Sequence, residues 1–204
     1  DYRKAQGFNA LQINILPQWD RSEVRPEVLP FAVGPDGKYD YFHWNGAYFD
    51  RAKRFLGMAA DRGFVPALAM LWCDHVPGTW ASERMPDHIM PFGAVRPYVA
   101  FAAEQFARFD PVYLVSGDTN FGTPEAVKYY LAALETVKKV SPDALTTLHL
   151  CGGLSDLPAE IENSPLLDFY MYQSCHDRKG QHLAYDLAET FYRKPVKRPV
   201  VNGE

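Results

Sequence analysis

Residues 111–124 read PVYLVSGDTNFGTP, and this short stretch carries the pattern that decides the fold. Residues 111–116 are apolar without strict alternation, which is typical of a strand covered on both faces. Thr123 and Pro124 predict the start of a helix, with threonine as the N-cap and proline in the first turn. Asp118 lies between these elements, so its carboxylate is expected at the carboxyl end of the strand.

The same succession of strand and helix recurs on both sides of this stretch. Similar apolar runs predict strands at residues 9–16, 65–71, 145–150, 168–173 and 199–202. Apolar residues at helical spacing predict helices at residues 47–62, 97–109, 123–137 and 183–191. Because strands and helices alternate, the sheet is expected to be parallel with right-handed crossovers.

Two architectures fit this alternation, an open doubly wound sheet and a (β/α)8 TIM barrel. A doubly wound sheet would usually carry a glycine-rich turn after its first strand, whereas residues 17–20 read PQWD and no nucleotide-binding glycine motif occurs. Polar or aromatic residues follow every predicted strand, and barrel enzymes build their active sites at that edge. These residues are Asn14, Trp19, Trp72, Asp74, His75, Asp118, Asn120, His149, Gln173, His176, Asn202 and Glu204. We therefore predict an α/β fold of the barrel type.

Only six strands are predicted, whereas a complete barrel has eight and typically about 250 residues. The chain has 204 residues, begins before one strand and stops on a glutamate at the end of another. We therefore expect residues 1–204 to be one barrel domain of about six βα units, truncated at both ends.

Composition excludes several classes of function. With 21 basic and 25 acidic residues, the net charge of −4 provides no basic field for nucleic acid. No apolar run approaches the roughly 20 residues that span a bilayer. The three cysteines, Cys73, Cys151 and Cys175, form no CxxC pair, which excludes a disulfide framework but leaves the cellular compartment open.

The carboxylates of Asp118 and Glu204, at two predicted strand ends, indicate acid/base and nucleophilic chemistry. Paired carboxylates, one protonated and one ionised, are what glycosidic cleavage requires. The structural alternatives are a turn or capping role for Asp118 and an exposed terminal position for Glu204.

Aromatic residues and histidines near the strand ends suit a sugar ligand. The four tryptophans could stack on sugar rings or could simply pack in loops and core; they are Trp19, Trp44, Trp72 and Trp80. His149 and His176 could orient hydroxyl groups or a carboxylate, or could be structural histidines.

A metal site is the remaining alternative, because cysteine and histidine recur together at three strand ends. Zinc binds these donors, but none of the pairs has the CxxC or HxxxH spacing of a structural site. The pairs are Cys73 with His75, His149 with Cys151, and Cys175 with His176. We predict no metal and keep a zinc-dependent hydrolase as an alternative.

Six segments together resemble a known family. They read GFNALQINIL (7–16), YFDRAKRFLGMAADRGFVPALAMLW (48–72), PVYLVSGDTN (111–120), HLCGG (149–153), LLDFYMYQSCH (166–176) and RPVVNGE (198–204). In order and spacing they resemble the apiosidase-like glycoside hydrolases, family 140 and its relatives. The likeness runs nearly end to end, and GDTN, LDFYMYQSCH and PVVNGE are its most specific motifs.

The resemblance implies a clan A barrel of which this chain supplies strands two to seven. It implies retaining hydrolysis, with Asp118 as general acid/base after the fourth strand and Glu204 as nucleophile after the seventh. It also implies removal of a sugar such as apiose from plant cell-wall pectin, without a cofactor. Such a substrate favours a secreted or periplasmic protein.

The expected substrate contacts complete this prediction. They are Asn120, His149, Gln173 and His176 for the sugar hydroxyls, with Trp72 and Trp19 as aromatic surfaces. One departure concerns the fourth strand, where the wider clan has Asn-Glu and this chain has Asp118-Thr119-Asn120. A non-catalytic glycan-binding barrel is the alternative outside enzymes.

Overall fold

The computed structural model describes residues 2–18, 28–176 and 178–204. Trp19, one of the expected substrate contacts, lies outside the described residues. The helices are α1 (Tyr2–Ala5), α2 (Gly46–Ala60), α3 (Phe92–Phe106), α4 (Pro124–Val140), α5 (Ala159–Glu162) and α6 (Leu183–Arg193). The strands are β1 (Ala10–Asn14), β2 (Phe31–Val33), β3 (Tyr39–Trp44), β4 (Val65–Ala69), β5 (Val112–Leu114), β6 (Thr146–Thr147), β7 (Tyr170–Tyr172) and β8 (Val200–Asn202).

The parallel architecture predicted from the sequence is confirmed. Strands β1, β4, β5 and β6 form one parallel sheet in that order, and β7 pairs in parallel with β8. The two sheets adjoin where the Asp168 N–H donates to the Thr146 carbonyl, with 3.0 Å between nitrogen and oxygen. The six parallel strands thus follow chain order, and their carboxyl ends lie on one edge.

Burial explains why β6 and β7 show no alternation of polar and apolar residues. Every residue of β6 and β7 is buried, because helices cover the outer face and side chains from other strands cover the inner face. The helices begin as local signals predict: Asn45 Oδ1 accepts from the Ala47 N–H at α2, and Thr123 caps α4 through the Ala126 N–H. None of the described helices is long and apolar enough to cross a bilayer.

Two features differ from the sequence prediction. Strands β2 and β3 form an antiparallel hairpin that was not predicted, inserted between β1 and α2. Helix α3 begins at Phe92, so the predicted start at residue 97 was wrong. Pro97 lies inside the helix and removes one backbone hydrogen bond, but the complete burial of Tyr98 and Val99 keeps the segment helical.

Candidate active site

A polar cavity of about 400 Å³ lies at the carboxyl ends of the parallel strands. Its lining consists of Gln12, Asn14, Gln18, Trp72, Asp118, Gln173, His176 and Glu204. These residues come from both ends of the chain and from the loops after β4, β5 and β7. The tertiary fold therefore brings Asp118 and Glu204 to one cavity, as the barrel prediction requires.

Asp118 is held by the close approach of two loops. The Gly117 N–H donates to the Leu71 carbonyl and the Gly117 carbonyl accepts from the Cys73 N–H, each at 3.0 Å. A Cβ atom at Gly117 would lie 2.0 Å from Cε3 of Trp72, so only glycine leaves room for the indole ring. Asp118 itself has a left-handed backbone, with φ of 51°. This conformation is uncommon outside glycine, although aspartate tolerates it better than most residues.

The electrostatic environment of Asp118 suits a proton donor. Burial, and then the negative charge of Glu204, raise the pKa of Asp118 to about 6, with a smaller opposing influence from His176. The carboxyl group is therefore mostly protonated below about pH 6, whereas an ordinary aspartate is already ionised there. A pKa near the working pH is what a general acid/base needs.

Glu204 faces Asp118 from the end of β8 and lies between two imidazole rings. Its Oε1 is 3.0 Å from Nε2 of His176, and its Oε2 is 3.4 Å from Nε2 of His149. The Glu204 carbonyl accepts from both the N–H and the hydroxyl of Ser174, each at 2.9 Å. The carboxylate is 39% exposed, so it is anchored but accessible from the cavity.

Of four expected substrate contacts, three line the cavity and one lies behind its wall. Gln173 and His176 line the cavity, with 3.3 Å between their Nε2 atoms. Trp72 also lines it, although only 7% of the residue is exposed. His149 lies behind this surface with a fully buried side chain, so in this structure its ring makes no part of the cavity wall.

Asn120 serves the loop that follows β4. Its Oδ1 accepts from the Trp80 N–H at 3.1 Å, and the Trp80 indole N–H donates to the Asp118 carbonyl at 2.8 Å. Asn120 does not line the cavity, and its amide instead holds Trp80 beside Asp118.

The sequence analysis missed two glutamines, Gln12 and Gln18, and did not propose Asn14 as a substrate contact. All three line the cavity. Gln12 and Asn14 alternate with apolar residues along β1, so polar residues at a period of two were the available signal.

The three cysteines were the basis of the zinc alternative, and the donor groups around them can be compared with a metal site. Within residues 2–18, 28–176 and 178–204, no three histidine, cysteine, aspartate or glutamate side chains are placed to hold a metal ion. All three thiols are free, and burial raises the pKa of Cys151 to about 11. The zinc alternative therefore has no supporting donor arrangement among the described residues.

Comparison with solved structures defines the class of fold, the (β/α)8 barrel of glycoside hydrolases. A glycoside hydrolase family 5 structure from Bacteroides vulgatus ATCC 8482 matches with TM-score 0.73 and 20% identity over 98% of this chain and 43% of that chain. Another glycoside hydrolase matches with TM-score 0.74 and 19% identity over 98% of this chain and 46% of that one. The family 53 catalytic domain of Ignisphaera aggregans matches with TM-score 0.59 and 16% identity, over 97% and 57%. The chain thus spans between 43% and 57% of the length of these proteins.

A family model gives a more specific assignment than the fold does. The model of the apiosidase-like catalytic domain matches residues 1–204, the whole of the chain. No curated protein matches it. The chain belongs to the apiosidase-like family, and the resemblance inferred from its motifs is confirmed.

Proposed function

We propose that this chain carries the catalytic carboxylates of a retaining glycoside hydrolase that acts on pectic glycans of the plant cell wall, within a single barrel domain. The observation that supports this most directly is the pair formed by Asp118 and Glu204. They border one cavity from two strand ends, and the charge of Glu204 helps to raise the pKa of Asp118 to about 6.

In the proposed double displacement, the two carboxylates take different parts. Glu204 attacks the anomeric carbon while the glycosidic bond breaks and Asp118 gives its proton to the departing oxygen. Water then attacks the anomeric carbon of the glycosyl ester, Asp118 takes the proton of that water, and Glu204 leaves as a carboxylate. Both groups return to their starting protonation states.

Retention sets a geometric condition on this pair. Retaining enzymes hold the two carboxyl groups about 5 to 5.5 Å apart, whereas inverting enzymes need roughly 6.5 to 9.5 Å for an intervening water. The electrostatic coupling of Asp118 with Glu204 supports a short separation. We expect the retaining distance in a crystal structure of the complete protein.

The cavity wall supports a neutral sugar in the subsite beside the carboxylates. Gln12, Asn14, Gln18 and Gln173 supply amide groups, which both donate and accept hydrogen bonds as sugar hydroxyls do. Family membership supports apiose, or a related sugar, attached to pectin as the group released.

Product analysis with the complete protein tests the proposal. A panel of pectic oligosaccharides is incubated with the enzyme, and the first anomer of the released sugar is identified by proton NMR. We expect release with retained configuration, lost in Glu204→Gln and kept in the matched control Glu189→Gln. Glu189 pairs with Arg193 on the exposed surface of α6 and does not line the cavity.

Each other result would contradict a part of the proposal. Inverted configuration would contradict the double displacement. Binding of the oligosaccharides without release would favour the glycan-binding barrel, and activity that disappears with a chelator and returns with zinc would favour the metal-dependent alternative.

A further inference from the structure

His149 is a buried titratable group in contact with both halves of the proposed catalytic pair. Its side chain has no exposed surface. Nδ1 lies 3.0 Å from the backbone nitrogen of Asp118, and Nε2 lies 3.4 Å from Oε2 of Glu204. The ring therefore lies behind the cavity, between the residue proposed as acid and the residue proposed as nucleophile.

The hydrogen bond at Nδ1 determines the protonation state of the ring. A backbone nitrogen can only donate, so Nδ1 must accept the Asp118 N–H through its lone pair. An imidazolium has no such lone pair, and a neutral ring that accepts at Nδ1 carries its hydrogen on Nε2. Burial also lowers the pKa of His149, which favours the same neutral form.

The hydrogen on Nε2 lies near the Glu204 carboxylate. Within the described residues, Nε2 forms no hydrogen bond of ordinary geometry, and its nearest carboxylate oxygen is Oε2 of Glu204 at 3.4 Å. A buried N–H without a partner is costly, and a small shift of the Glu204 carboxylate would give this N–H a charge-assisted bond. Trp72 stacks on the imidazole, with ring centroids 5.8 Å apart, and prevents the ring from turning away.

The two histidines beside Glu204 differ in a way that separates their roles. His176 is 70% exposed and lines the cavity, so a bound sugar can displace it from Oε1. His149 is fully buried and cannot meet the sugar without rearrangement of Trp72.

We propose that His149 is a positioning residue, locked as the neutral Nε2–H tautomer, that fixes the backbone of Asp118 through Nδ1 and the carboxylate of Glu204 through Nε2. This inference rests on the proposed function for the roles of the two carboxylates. It replaces the expectation that His149 binds a sugar hydroxyl.

Two substitutions in the complete protein separate the two contacts. The amide of asparagine reaches the position of Nδ1, and the amide of glutamine reaches the position of Nε2. His149→Asn keeps an acceptor for the Asp118 N–H and loses the donor to Glu204. We expect kcat to fall roughly 10- to 100-fold on all substrates, with KM unchanged.

His149→Gln keeps a donor toward Glu204 and loses the acceptor for the Asp118 N–H. Its loss is therefore expected mainly on substrates with poor leaving groups, which need the proton of Asp118, and much less on aryl glycosides. The control is His43→Gln, an exposed histidine of β3 paired with Asp40, which should leave both parameters unchanged. Equal losses in both His149 variants on every leaving group, or a raised KM with unchanged kcat, would overturn the proposal.

Nitrogen NMR of the wild-type histidine rings tests the tautomer without any activity. We expect one ring with unprotonated Nδ1 and protonated Nε2, with a pKa below that of an ordinary histidine because the ring is buried, and whose Nε2–H signal moves in Glu204→Gln. A His149 ring that gains its second proton as readily as an exposed histidine, or that carries its hydrogen on Nδ1 when neutral, would refute the proposed tautomer even if the protein is an active glycosidase. If the expected tautomer is found but the protein has no glycosidase activity, the proposed contacts of His149 stand and only the proposed function is refuted.

Discussion

Two groups of histidine and carboxylate side chains lie at the strand ends, and they differ in their access to solvent. The loop cluster consists of Asp74, His75 and His88 from the loop after β4, together with Tyr41 of β3. The cavity cluster consists of Asp118, His149, His176 and Glu204. Asp74 has no exposed surface, whereas Glu204 is 39% exposed and borders the cavity.

The loop cluster ties three segments together. Oδ2 of Asp74 is 3.1 Å from Nδ1 of His88. The ring of His75 contacts the His88 carbonyl at 3.0 Å and the Pro17 carbonyl at 3.2 Å, and the hydroxyl of Tyr41 on β3 also contacts His75. The cluster thus joins the loops after β1 and β4 to the hairpin.

This difference shows that residue type alone does not distinguish a structural cluster from one that borders a functional cavity. Both clusters place an aspartate next to histidines beyond a strand end. In the loop cluster the contacts are made within the protein, so the carboxylate stabilises loops. In the cavity cluster the two carboxylates border open space, and burial of Asp118, followed by the charge of Glu204, raises the pKa of Asp118 to about 6.

The sharpest test of this distinction is Glu204→Gln. If Glu204 is the nucleophile, as proposed, its loss should lower kcat by about 10⁴-fold or more on every substrate, whatever the leaving group. Steady-state kinetics of the complete protein measures this, and thermal unfolding should show little change. A modest loss that depends on the leaving group would remove Glu204 from the role of nucleophile.

The next largest effect is expected for Asp118→Asn. Loss of the proton donor should cost about 10²- to 10⁴-fold on poor leaving groups, while glycosylation by aryl glycosides survives and the covalent intermediate accumulates. Azide, which needs no general base, should restore turnover as a glycosyl azide of retained configuration. Equal losses on all leaving groups with no azide effect would make Asp118 a structural turn residue.

The loop cluster should respond in stability instead of chemistry. Asp74→Ala removes a buried acceptor of His88, and we expect the free energy of unfolding to fall by about 2 to 4 kcal/mol, with kcat of the folded enzyme changed only a few-fold. The matched control is Asp87→Ala, which breaks an exposed ion pair with Lys38 and should leave the free energy of unfolding nearly unchanged because solvent screens the pair. Urea unfolding of both variants measures the difference; similar losses would show that burial does not distinguish them.

The smallest effect concerns pH and stability. Because the pKa of Asp118 is raised to about 6, its contribution to stability is fully present below about pH 4 and is lost as pH rises through about 6. At neutral pH the free energy of unfolding of Asp118→Asn should therefore exceed that of wild type by about 1 kcal/mol after solvent screening, and its unfolding temperature should be higher. At low pH the two proteins should be equally stable. Thermal unfolding at several pH values measures this, and a difference independent of pH would contradict the raised pKa.

Local patterns account for what was predictable in the fold. The apolar run at residues 111–116 and the Thr123 cap of α4 are encoded within a few residues, and both are present. The hairpin of β2 and β3 was missed because its two strands pair only with each other and lie outside the alternation of parallel strands and helices used for the prediction. The start of α3 was misplaced because burial of Tyr98 outweighs the local effect of Pro97.

Local patterns specify the order of strands and helices, the family, and the positions of Asp118 and Glu204 at two strand ends. Periodicity, caps and motifs act over short distances along the chain, so they can be read from the sequence. The burial of His149 against Trp72 and the exposure of His176 to the cavity depend instead on how the chain packs. Exposure, and with it the pKa of Asp118, depends on residues far apart in sequence that packing brings together.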